Sequence, residues 1–353
     1  MKILFLSHNF YPDIGGIEVN SEILAGYFTK FGAEVKVLTW SLEKEKKEFP
    51  FAVIRNPGLT EVYKLHIWAD VVFENNPCIR LSWPIIFTGK KHVVALRTWI
   101  QRNENSRGIR DRLKISWLKK ADALIAVSKA IEDETSTGAT IIGNPYRHNL
   151  FKELTHKKTK DFVFLGRLVS SKGGDMALQL VARLLKDNPS ETRPFSLTII
   201  GDGPEKRNLK NMARELGITK NVKFKGFLEG QELVRCLNMH KYILIPSRWR
   251  EPFGNIALEG LACGCLPIVS NGGGLVDAVG KAGIIFERNN PDSLYKEVKR
   301  LLDDPAFENN IRNNFIEKLK QHHPENVSRR YFEVIKRTLA INTNSSGVFT
   351  SHT

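Results

Sequence analysis

Residues 1–39, MKILFLSHNFYPDIGGIEVNSEILAGYFTKFGAEVKVLT, decide the fold class, because they follow the order strand, helix, strand. The apolar run Lys2–Ser7 predicts a buried first strand. Glu34–Thr39 predicts the second strand. Between the strands, apolar side chains recur at helical spacing until a glycine ends the helix; these residues are Ile17, Leu24, Tyr27, Phe28 and Phe31, followed by Gly32. Such a unit is typical of a parallel sheet with helices on its faces.

The same alternation continues to about residue 315, interrupted once. The charged segment Lys152–Asp161 is typical of a linker. We therefore predict two α/β domains with doubly wound sheets, over residues 1–150 and 160–318, and a flexible tail over 341–353. The remaining predicted strands are 71–73, 93–96 and 123–127 in the first half, and 162–165, 197–201, 222–225, 242–245, 266–270 and 283–286 in the second.

Composition agrees with two globular domains. The chain has 353 residues, 42% apolar and 26% charged, which excludes a disulfide-stapled miniprotein, a collagen-like fibre and a wholly disordered chain. Its net charge of +15 predicts a polyanionic partner such as nucleic acid, an anionic membrane or a phosphorylated substrate. No apolar run approaches the roughly 18 residues of a membrane span, and the N-terminus turns polar at His8-Asn9, too early for a signal peptide. We expect a cytoplasmic protein.

The four cysteines do not form a disulfide framework. Cys263-Gly264-Cys265 is compatible with a metal site or with a packed turn between a helix and a strand. No second Cys or His cluster has ligand-like spacing, which favours the packed turn.

Loops that follow strands are where open α/β sheets bind ligands. Gly15-Gly16, after the first strand, lets backbone amides approach an anion at a helix start, although such a pair is as often only a tight turn. The segment Gly166–Gly174 places Arg167 and Lys172 beside glycines, which suits a diphosphate. The alternative for this segment is a solvated basic loop.

Gly201-Asp202-Gly203 follows another predicted strand. A dinucleotide fingerprint requires a third glycine at position 206, where this chain has Lys206, so NAD binding is disfavoured. The turn remains compatible with the phosphate or the base edge of a nucleotide.

The segment EPFGNIALEG, residues 251–260, is the most informative of these loops. Proline and glycine before an apolar-periodic run predict a helix start near Phe253–Asn255, whose free amides can hold a phosphate. Glu251 ahead of the helix and Glu259 on its second turn can accept hydrogen bonds from hydroxyls on either side of that phosphate, such as ribose and a sugar. Alternatively, one glutamate complements the helix dipole and the other is solvated.

Together these motifs resemble the retaining glycosyltransferases of the GT-B fold, family four. The resemblance implies two Rossmann-like domains facing across a donor cleft, with a C-terminal helix at about 325–340 crossing back to the first domain. It rests on Glu251 and Glu259 at their seven-residue separation and on the stretches 11–16, 166–173, 201–204, 222–226 and 259–269.

The resemblance also implies the roles of individual residues. Glu251, Lys172 and Arg167 would be catalytic: Arg167 and Lys172 would bind the donor diphosphate and meet the leaving-group charge, and Glu251 would hold sugar hydroxyls. Glu259 would take the ribose hydroxyls. The other donor contacts it implies are Gly16, Gly203, the amides of Phe253, Gly254, Asn255 and Ile256, and Phe227 and Leu228 at the base. No Asp-x-Asp motif lies in a suitable loop, so we expect no metal and no cofactor, the nucleotide-diphosphate sugar being a substrate.

Two positions depart from the family pattern. Arg97 stands where many relatives have a histidine that touches the donor sugar, so we expect Arg97 as a possible sugar contact. Asp277 stands where a glutamate is usual, and no role is transferred to it.

The positive charge is concentrated between Arg80 and Lys120, where 11 Lys or Arg minus 2 acidic residues leaves a surplus of nine. Within it, Gly108–Lys120 predicts a basic helix with apolar residues, which either lies on an anionic membrane or packs on its own sheet. Nucleic-acid binding is disfavoured, because no reading helix or stacking motif is visible.

We therefore predict a retaining hexosyltransferase that moves glucose from UDP-glucose to a glycan or lipid-linked acceptor in polysaccharide biosynthesis. The chain is similar to bacterial surface-polysaccharide enzymes, including cyanobacterial envelope glucosyltransferases. An alternative on the same fold is a nucleotide-sugar epimerase or hydrolase. The expected location is the cytoplasm, with peripheral contact at the inner face of the cytoplasmic membrane.

Overall fold

The chain divides into two compact units in a computed structural model that describes residues 1–13, 15–43, 47–101, 108–154, 157–189 and 194–340, without the Arg110 side chain. The first unit contains Met1–Pro145 and the chain from Pro324 onward, and the second contains Tyr146–His323. The predicted flexible tail over 341–353 lies outside the described residues.

The first unit is built on a parallel seven-stranded sheet with the order β3-β2-β1-β4-β5-β6-β7. Its strands are β1 (Lys2–Leu6), β2 (Glu34–Thr39), β3 (Ala52–Arg55), β4 (Val71–Asn75), β5 (Lys91–Leu96), β6 (Ala123–Ala126) and β7 (Thr140–Ile141). Its helices are α1 (Gly16–Lys30), α2 (Leu59–Trp68), α3 (Ile79–Ser82), α4 (Ile85–Thr88), α5 (Ile109–Leu118), α6 (Lys129–Thr135) and α15 (Pro324–Ala340).

Side-chain alternation along β1 feeds one core on each face of this sheet. Ile3 and Phe5 belong to the core that includes side chains of α1 and α15. Leu4 and Leu6 belong to the core that includes side chains of α2 and α3. Burial on both faces explains why β1 is a continuous apolar run.

The second unit has a parallel six-stranded sheet with the order β10-β9-β8-β11-β12-β13. Its strands are β8 (Lys160–Leu165), β9 (Leu197–Ile200), β10 (Val222–Gly226), β11 (His240–Ile245), β12 (Leu266–Ser270) and β13 (Ile284–Phe286). Its helices are α7 (Gly174–Asp187), α8 (Lys206–Glu215), α9 (Gly230–Asn238), α10 (Asn255–Ala262), α11 (Leu275–Val279), α12 (Pro291–Asp303), α13 (Pro305–Arg312) and α14 (Phe315–Gln321). A short 3-10 turn, Ser170–Lys172, precedes α7.

The predicted α/β class with two Rossmann-like sheets is confirmed, and so is the return of the C-terminal helix to the first unit. Helix α15 packs there against α1, with the rings of Phe332 and Phe28 5.7 Å apart. It begins at Pro324, close to the predicted start.

Three details differ from the sequence prediction. Strand β3 was not predicted, because it is a four-residue edge strand without a continuous buried face. The units divide after Pro145, earlier than predicted. The segment predicted as a linker is bonded to the second unit: the Leu154 amide donates to Asn238 Oδ1 at 2.7 Å, and Lys158 Nζ donates to the Cys263 carbonyl at 2.8 Å. Among the described residues, no helix is both long and apolar enough to cross a bilayer.

Candidate functional site

The strand order of the second unit defines a switch point between β8 and β11, where connections leave in opposite directions along the sheet. Ligands of open α/β sheets bind outside the carboxyl ends of strands at such a point. The loops that follow β8 and β11 contain Arg167, Lys172 and Glu251. All three residues predicted to be catalytic therefore lie on neighbouring loops.

These two loops are bonded to each other. The carbonyl of Ser171 accepts hydrogen bonds from the amides of Arg248 and Trp249 at 2.8 and 3.1 Å. Arg248 also donates both guanidinium nitrogens to the Asp175 carboxylate at 2.7 and 2.5 Å, a bidentate arrangement that fixes its plane. Gly173 has a φ of +72°, and a Cβ there would lie 2.0 Å from the Pro246 carbonyl oxygen. The loops meet so closely that only glycine fits at this position.

Lys172 and Glu251 form an ion pair at the junction of the two loops, through Nζ and Oε1. Ser247 Oγ donates a second hydrogen bond to the same carboxylate oxygen at 2.9 Å. Both charged side chains are partly buried, so their interaction is screened less than that of an exposed pair. The pair combines a cation suited to a phosphate with a carboxylate suited to hydroxyl groups.

Helix α10 begins immediately beyond this pair. Gly254 precedes its first residue and has a φ of +118°, which a side chain rarely adopts. Phe253 is buried (3% exposed), and its role as a capping amide stays a prediction. The Gly274 amide donates to the Glu251 carbonyl at 2.7 Å and fixes the chain just before the helix. Gly254, Asn255 and Ile256 are partly exposed at the helix N-terminus, and the N-terminal amides of a helix are suited to binding an anion.

Glu259 lies on the second turn of α10 with a side chain that is 13% exposed. Its Oε1 accepts a hydrogen bond from Arg147 Nη2 at 3.1 Å. Burial raises the pKa of Glu259 above its ordinary value, and the charge and hydrogen bond of Arg147 act in the opposite direction. Arg147 was not predicted from the sequence, because this residue stands alone in a polar stretch with no glycine or motif directly beside it.

Loops after β9 and β10 complete this edge of the sheet. Gly203 has a φ of +154°, and a Cβ there would lie 2.4 Å from the Leu168 carbonyl, so this glycine permits close packing on the loop that carries Arg167. Arg167 itself is exposed. Phe227 is an exposed aromatic side chain (68%) after β10, and the neighbouring Leu228 is half-buried. A nucleobase can stack on such a ring.

Two predicted contacts lie in the first unit. Gly16 is exposed and is the first residue of α1. Arg97 is only 4% exposed: its Nε donates to Asn75 Oδ1 and its Nη1 to Asn144 Oδ1, both at 2.7 Å. Its guanidinium also lies 4.9 Å from the centroid of the Tyr331 ring in α15. These contacts indicate a structural role for Arg97, and its contact with a sugar stays a prediction.

The predicted basic helix is α5, and its apolar residues are divided between the interior and the surface. Trp117 and Leu118 are buried, as packing on the sheet requires, whereas Ile109 and Leu113 are exposed (79% and 61%). Arg112 is exposed beside them. The buried part of the helix agrees with packing on the sheet, and membrane contact through the exposed part stays a prediction.

The Cys263-Gly264-Cys265 segment is a packed turn from α10 to β12, as favoured by the sequence. Both thiols are buried, and burial raises the pKa of Cys263 to about 12. Within the part of the chain that the structure describes, no cluster of three or more His, Cys, Asp or Glu side chains is arranged to hold a metal ion.

Comparisons with known proteins agree with this architecture. The glycogen synthase of Mycobacterium tuberculosis is 31% identical over 204 residues, which cover 54% of this chain and 48% of that protein. This chain thus spans about half the length of the curated relatives that it matches first.

Solved structures match nearly the whole chain at low identity, which shows the fold alone. Alr3699/HepE from Anabaena, in complex with UDP, has a TM-score of 0.79 and 18% identity, covering 96% of this chain and 100% of that one. Sucrose-phosphate synthase from Thermosynechococcus elongatus has a TM-score of 0.74 and 17% identity, covering 96% and 99%.

The family model described as "Glycosyl transferases group 1" matches residues 146–322, which is the second unit almost completely and half of the chain. The Lys172–Glu251 pair, helix α10 and Glu259 all lie within the matched region. The chain belongs to the glycosyl transferases group 1 family.

Proposed function

We propose that this protein is a retaining hexosyltransferase that moves glucose from UDP-glucose to a glycan or lipid-linked acceptor in polysaccharide biosynthesis. The observation that carries the proposal is the Lys172–Glu251 pair at the β8/β11 switch point, directly ahead of the α10 N-terminus. A cation, a helix terminus and a carboxylate at one place suit a sugar joined to a diphosphate. The complex of the structurally similar Alr3699/HepE with UDP supports a nucleotide-sugar donor.

The donor diphosphate would lie between Lys172, Arg167 and the amides at the start of α10. In the absence of donor, Lys172 is engaged by Glu251. When the diphosphate takes up the lysine charge, Glu251 can accept hydrogen bonds from sugar hydroxyls while Ser247 holds it in place. Binding of the donor would therefore exchange the Lys172–Glu251 ion pair for a pair between Lys172 and the diphosphate, with the Glu251 charge stabilised by hydrogen bonds from hydroxyl groups.

The same groups would stabilise the transition state. Negative charge grows on the β-phosphate as the bond to the sugar breaks, and Lys172, Arg167 and the α10 terminus are already oriented toward that position in this proposal. In this proposal these groups would stabilise that charge without a metal ion. The acceptor hydroxyl would attack C1 from the face that the leaving phosphate occupies, the bond between C1 and the phosphate oxygen would break, and the hydroxyl proton would pass to that oxygen, so that the configuration of the sugar is retained.

A panel of UDP-, GDP- and ADP-sugars tests the donor. Nucleotide release is measured with and without added glycan or lipid-linked acceptor, and the product is examined by mass spectrometry. We expect release of UDP from UDP-glucose, accelerated by an acceptor that gains one hexose. Free sugar or an isomerised nucleotide sugar, formed at the same rate without an acceptor, would indicate a hydrolase or an epimerase instead.

We also propose peripheral contact with an anionic membrane from the cytoplasmic side, through α5. Ile109 and Leu113 supply exposed apolar groups one helical turn apart, and Arg112 supplies a cation beside them. Flotation with phosphatidylglycerol vesicles at low and high salt tests this contact. Binding should disappear in the double variant Arg112→Glu/Leu113→Asp and persist in Ile316→Asp, which alters an exposed isoleucine (82%) of the second unit. Equal flotation of all three proteins would overturn it.

A further inference from the structure

We propose that Arg147 is a positioning residue of the nucleotide site: it fixes the Glu259 carboxylate so that the free oxygen accepts hydrogen bonds from the ribose hydroxyls. This inference rests on the proposed function, because it assumes that a nucleoside diphosphate binds at α10. It assigns a role to a residue that no sequence motif identifies.

Arg147 contacts Glu259 through one carboxylate oxygen. Arg147 Nη2 donates to Oε1 of Glu259 at 3.1 Å, so the guanidinium engages one carboxylate oxygen and leaves Oε2 for a second donor. A carboxylate can accept about four hydrogen bonds, and two vicinal hydroxyls need no more than two of them. Arginine and ribose can therefore be bound by Glu259 at the same time.

Arg147 lies in a backbone turn, and its guanidinium contacts an aromatic ring. Its carbonyl accepts hydrogen bonds from the amides of Leu150 and Phe151 at 3.0 and 2.8 Å, which closes a turn. Its guanidinium lies 4.9 Å from the centroid of the buried Phe151 ring. The turn and the ring contact restrict the Arg147 side chain, which is 40% exposed, before a ligand arrives, and so lower the entropic cost of ordering it on binding.

Arg147 also affects the ionisation of Glu259. Glu259 is largely buried, and burial favours the protonated carboxyl, which would donate a proton rather than accept two hydroxyl hydrogen bonds. Arg147 opposes this by favouring the ionised form. Cys263, at the end of the same helix, also interacts electrostatically with Glu259 and is neutral at physiological pH because burial raises its pKa to about 12. The charge and the hydrogen bond of Arg147 thus shift the Glu259 carboxyl toward its ionised form.

The sign of the expected pH dependence follows. Removal of Arg147 takes away an interaction that lowers the pKa of Glu259, so the carboxylate takes up its proton at a higher pH. Ribose binding that needs the ionised form would then weaken as the pH falls toward the acidic side of neutral. In the wild-type protein this loss occurs only at lower pH.

Calorimetric titration of the full chain with UDP and with 2′,3′-dideoxy-UDP, from about pH 5 to about pH 8, tests the role of Arg147. Arg147→Gln should weaken UDP binding roughly tenfold or more at neutral pH, and further as the pH falls, because Glu259 loses the charged donor that orients its carboxylate and favours its ionised form. It should leave binding of the dideoxy analogue within about twofold of the wild type. Arg147→Lys retains the positive charge and should keep the wild-type pH profile with a smaller loss.

Arg183→Gln is the matched control, because Arg183 also pairs with a carboxylate, Asp292, and lies over an aromatic ring, Tyr295. It should bind UDP as the wild type does. In the background Glu259→Gln, the change Arg147→Gln should have no further effect on UDP affinity.

The outcomes separate the two claims. If the wild type binds UDP and Arg147→Gln binds it with the same affinity and pH profile, the role of Arg147 is overturned and the proposed function stands. An equal loss for UDP and the dideoxy analogue would also overturn it, since that pattern indicates general damage to the site. If the wild type binds neither nucleotide, nor GDP or ADP, the proposed function itself fails.

Discussion

Replacement of Lys172 by alanine tests the chemistry proposed for the β8/β11 junction. The change removes the cation paired with Glu251 and leaves that partly buried carboxylate with the hydrogen bond from Ser247 alone. A hydrogen bond to a charged group contributes about 1.5–3 kcal/mol, so the affinity for UDP should fall by a factor of roughly 10–150. Because charge on the phosphate grows in the transition state, kcat/KM for sugar transfer should fall further, by a factor of about 100–1,000.

The assay is UDP release from UDP-glucose with acceptor present, with the unfolding midpoint measured in parallel. Lys299→Ala is the control, because Lys299 lies in the same unit and pairs with Asp303 at 2.8 Å in α12, an element that contributes no predicted donor contact. That variant should retain wild-type kcat/KM. If Lys172→Ala stays folded and turns over within about threefold of the wild type, Lys172 does not meet the leaving-group charge and the reasoning is wrong.

Three further predictions concern stability. Gly173→Ala should lower the free energy of unfolding by more than about 3 kcal/mol, since the added Cβ would collide with the Pro246 carbonyl. Gly217→Ala, at a similar φ of +70° but with no atom within 4 Å of the added Cβ, should lower it by only about 1 kcal/mol. Urea denaturation compares the two variants, and equal losses would contradict the close approach at Gly173. Burial lowers the pKa of His240 to about 4, whereas its ordinary value is 6.5, so His240 takes up a proton at a higher pH in the unfolded chain than in the folded protein. The free energy of unfolding should therefore fall by about 3 kcal/mol between pH 7 and pH 4. His240→Gln should remove most of this pH dependence, and an unchanged pH dependence would contradict the role of His240. Arg97→Met should lower the free energy of unfolding by about 2–4 kcal/mol, because it removes the hydrogen bonds to Asn75 and Asn144, and it should change the KM for the donor little. An unchanged stability with a raised KM for the donor would indicate instead that Arg97 contacts the sugar.

Much of the fold could be predicted because the buried strands of both units are continuous apolar runs. Phe162–Leu165 and Leu266–Ser270 are examples in which nearly every side chain is buried, and both appear in the structure as parts of β8 and β12. The edge strand β3 was missed: its apolar run, residues 51–54, is short and is flanked by Pro50 and Pro57, which are typical of a loop. Its side chains are exposed or half-buried, so it has no fully buried face.

The candidate site was predictable wherever backbone geometry demands particular residues. Gly173 and Gly254 are required by positive φ and close contacts, and the residues beside them are the predicted Lys172 and Glu251. Arg147 could not be predicted, because its contact with Glu259 joins positions 112 residues apart in the chain. Such a pair depends on how the start of the second unit packs on α10, which spacing along the sequence does not encode.

A crystal structure of the protein with bound UDP locates the donor site. We expect the diphosphate against Lys172 Nζ, Arg167 and the amides of Gly254–Ile256, with the ribose hydroxyls on Glu259 and the base beside Phe227. UDP bound elsewhere, with the Lys172–Glu251 ion pair still intact, would contradict it.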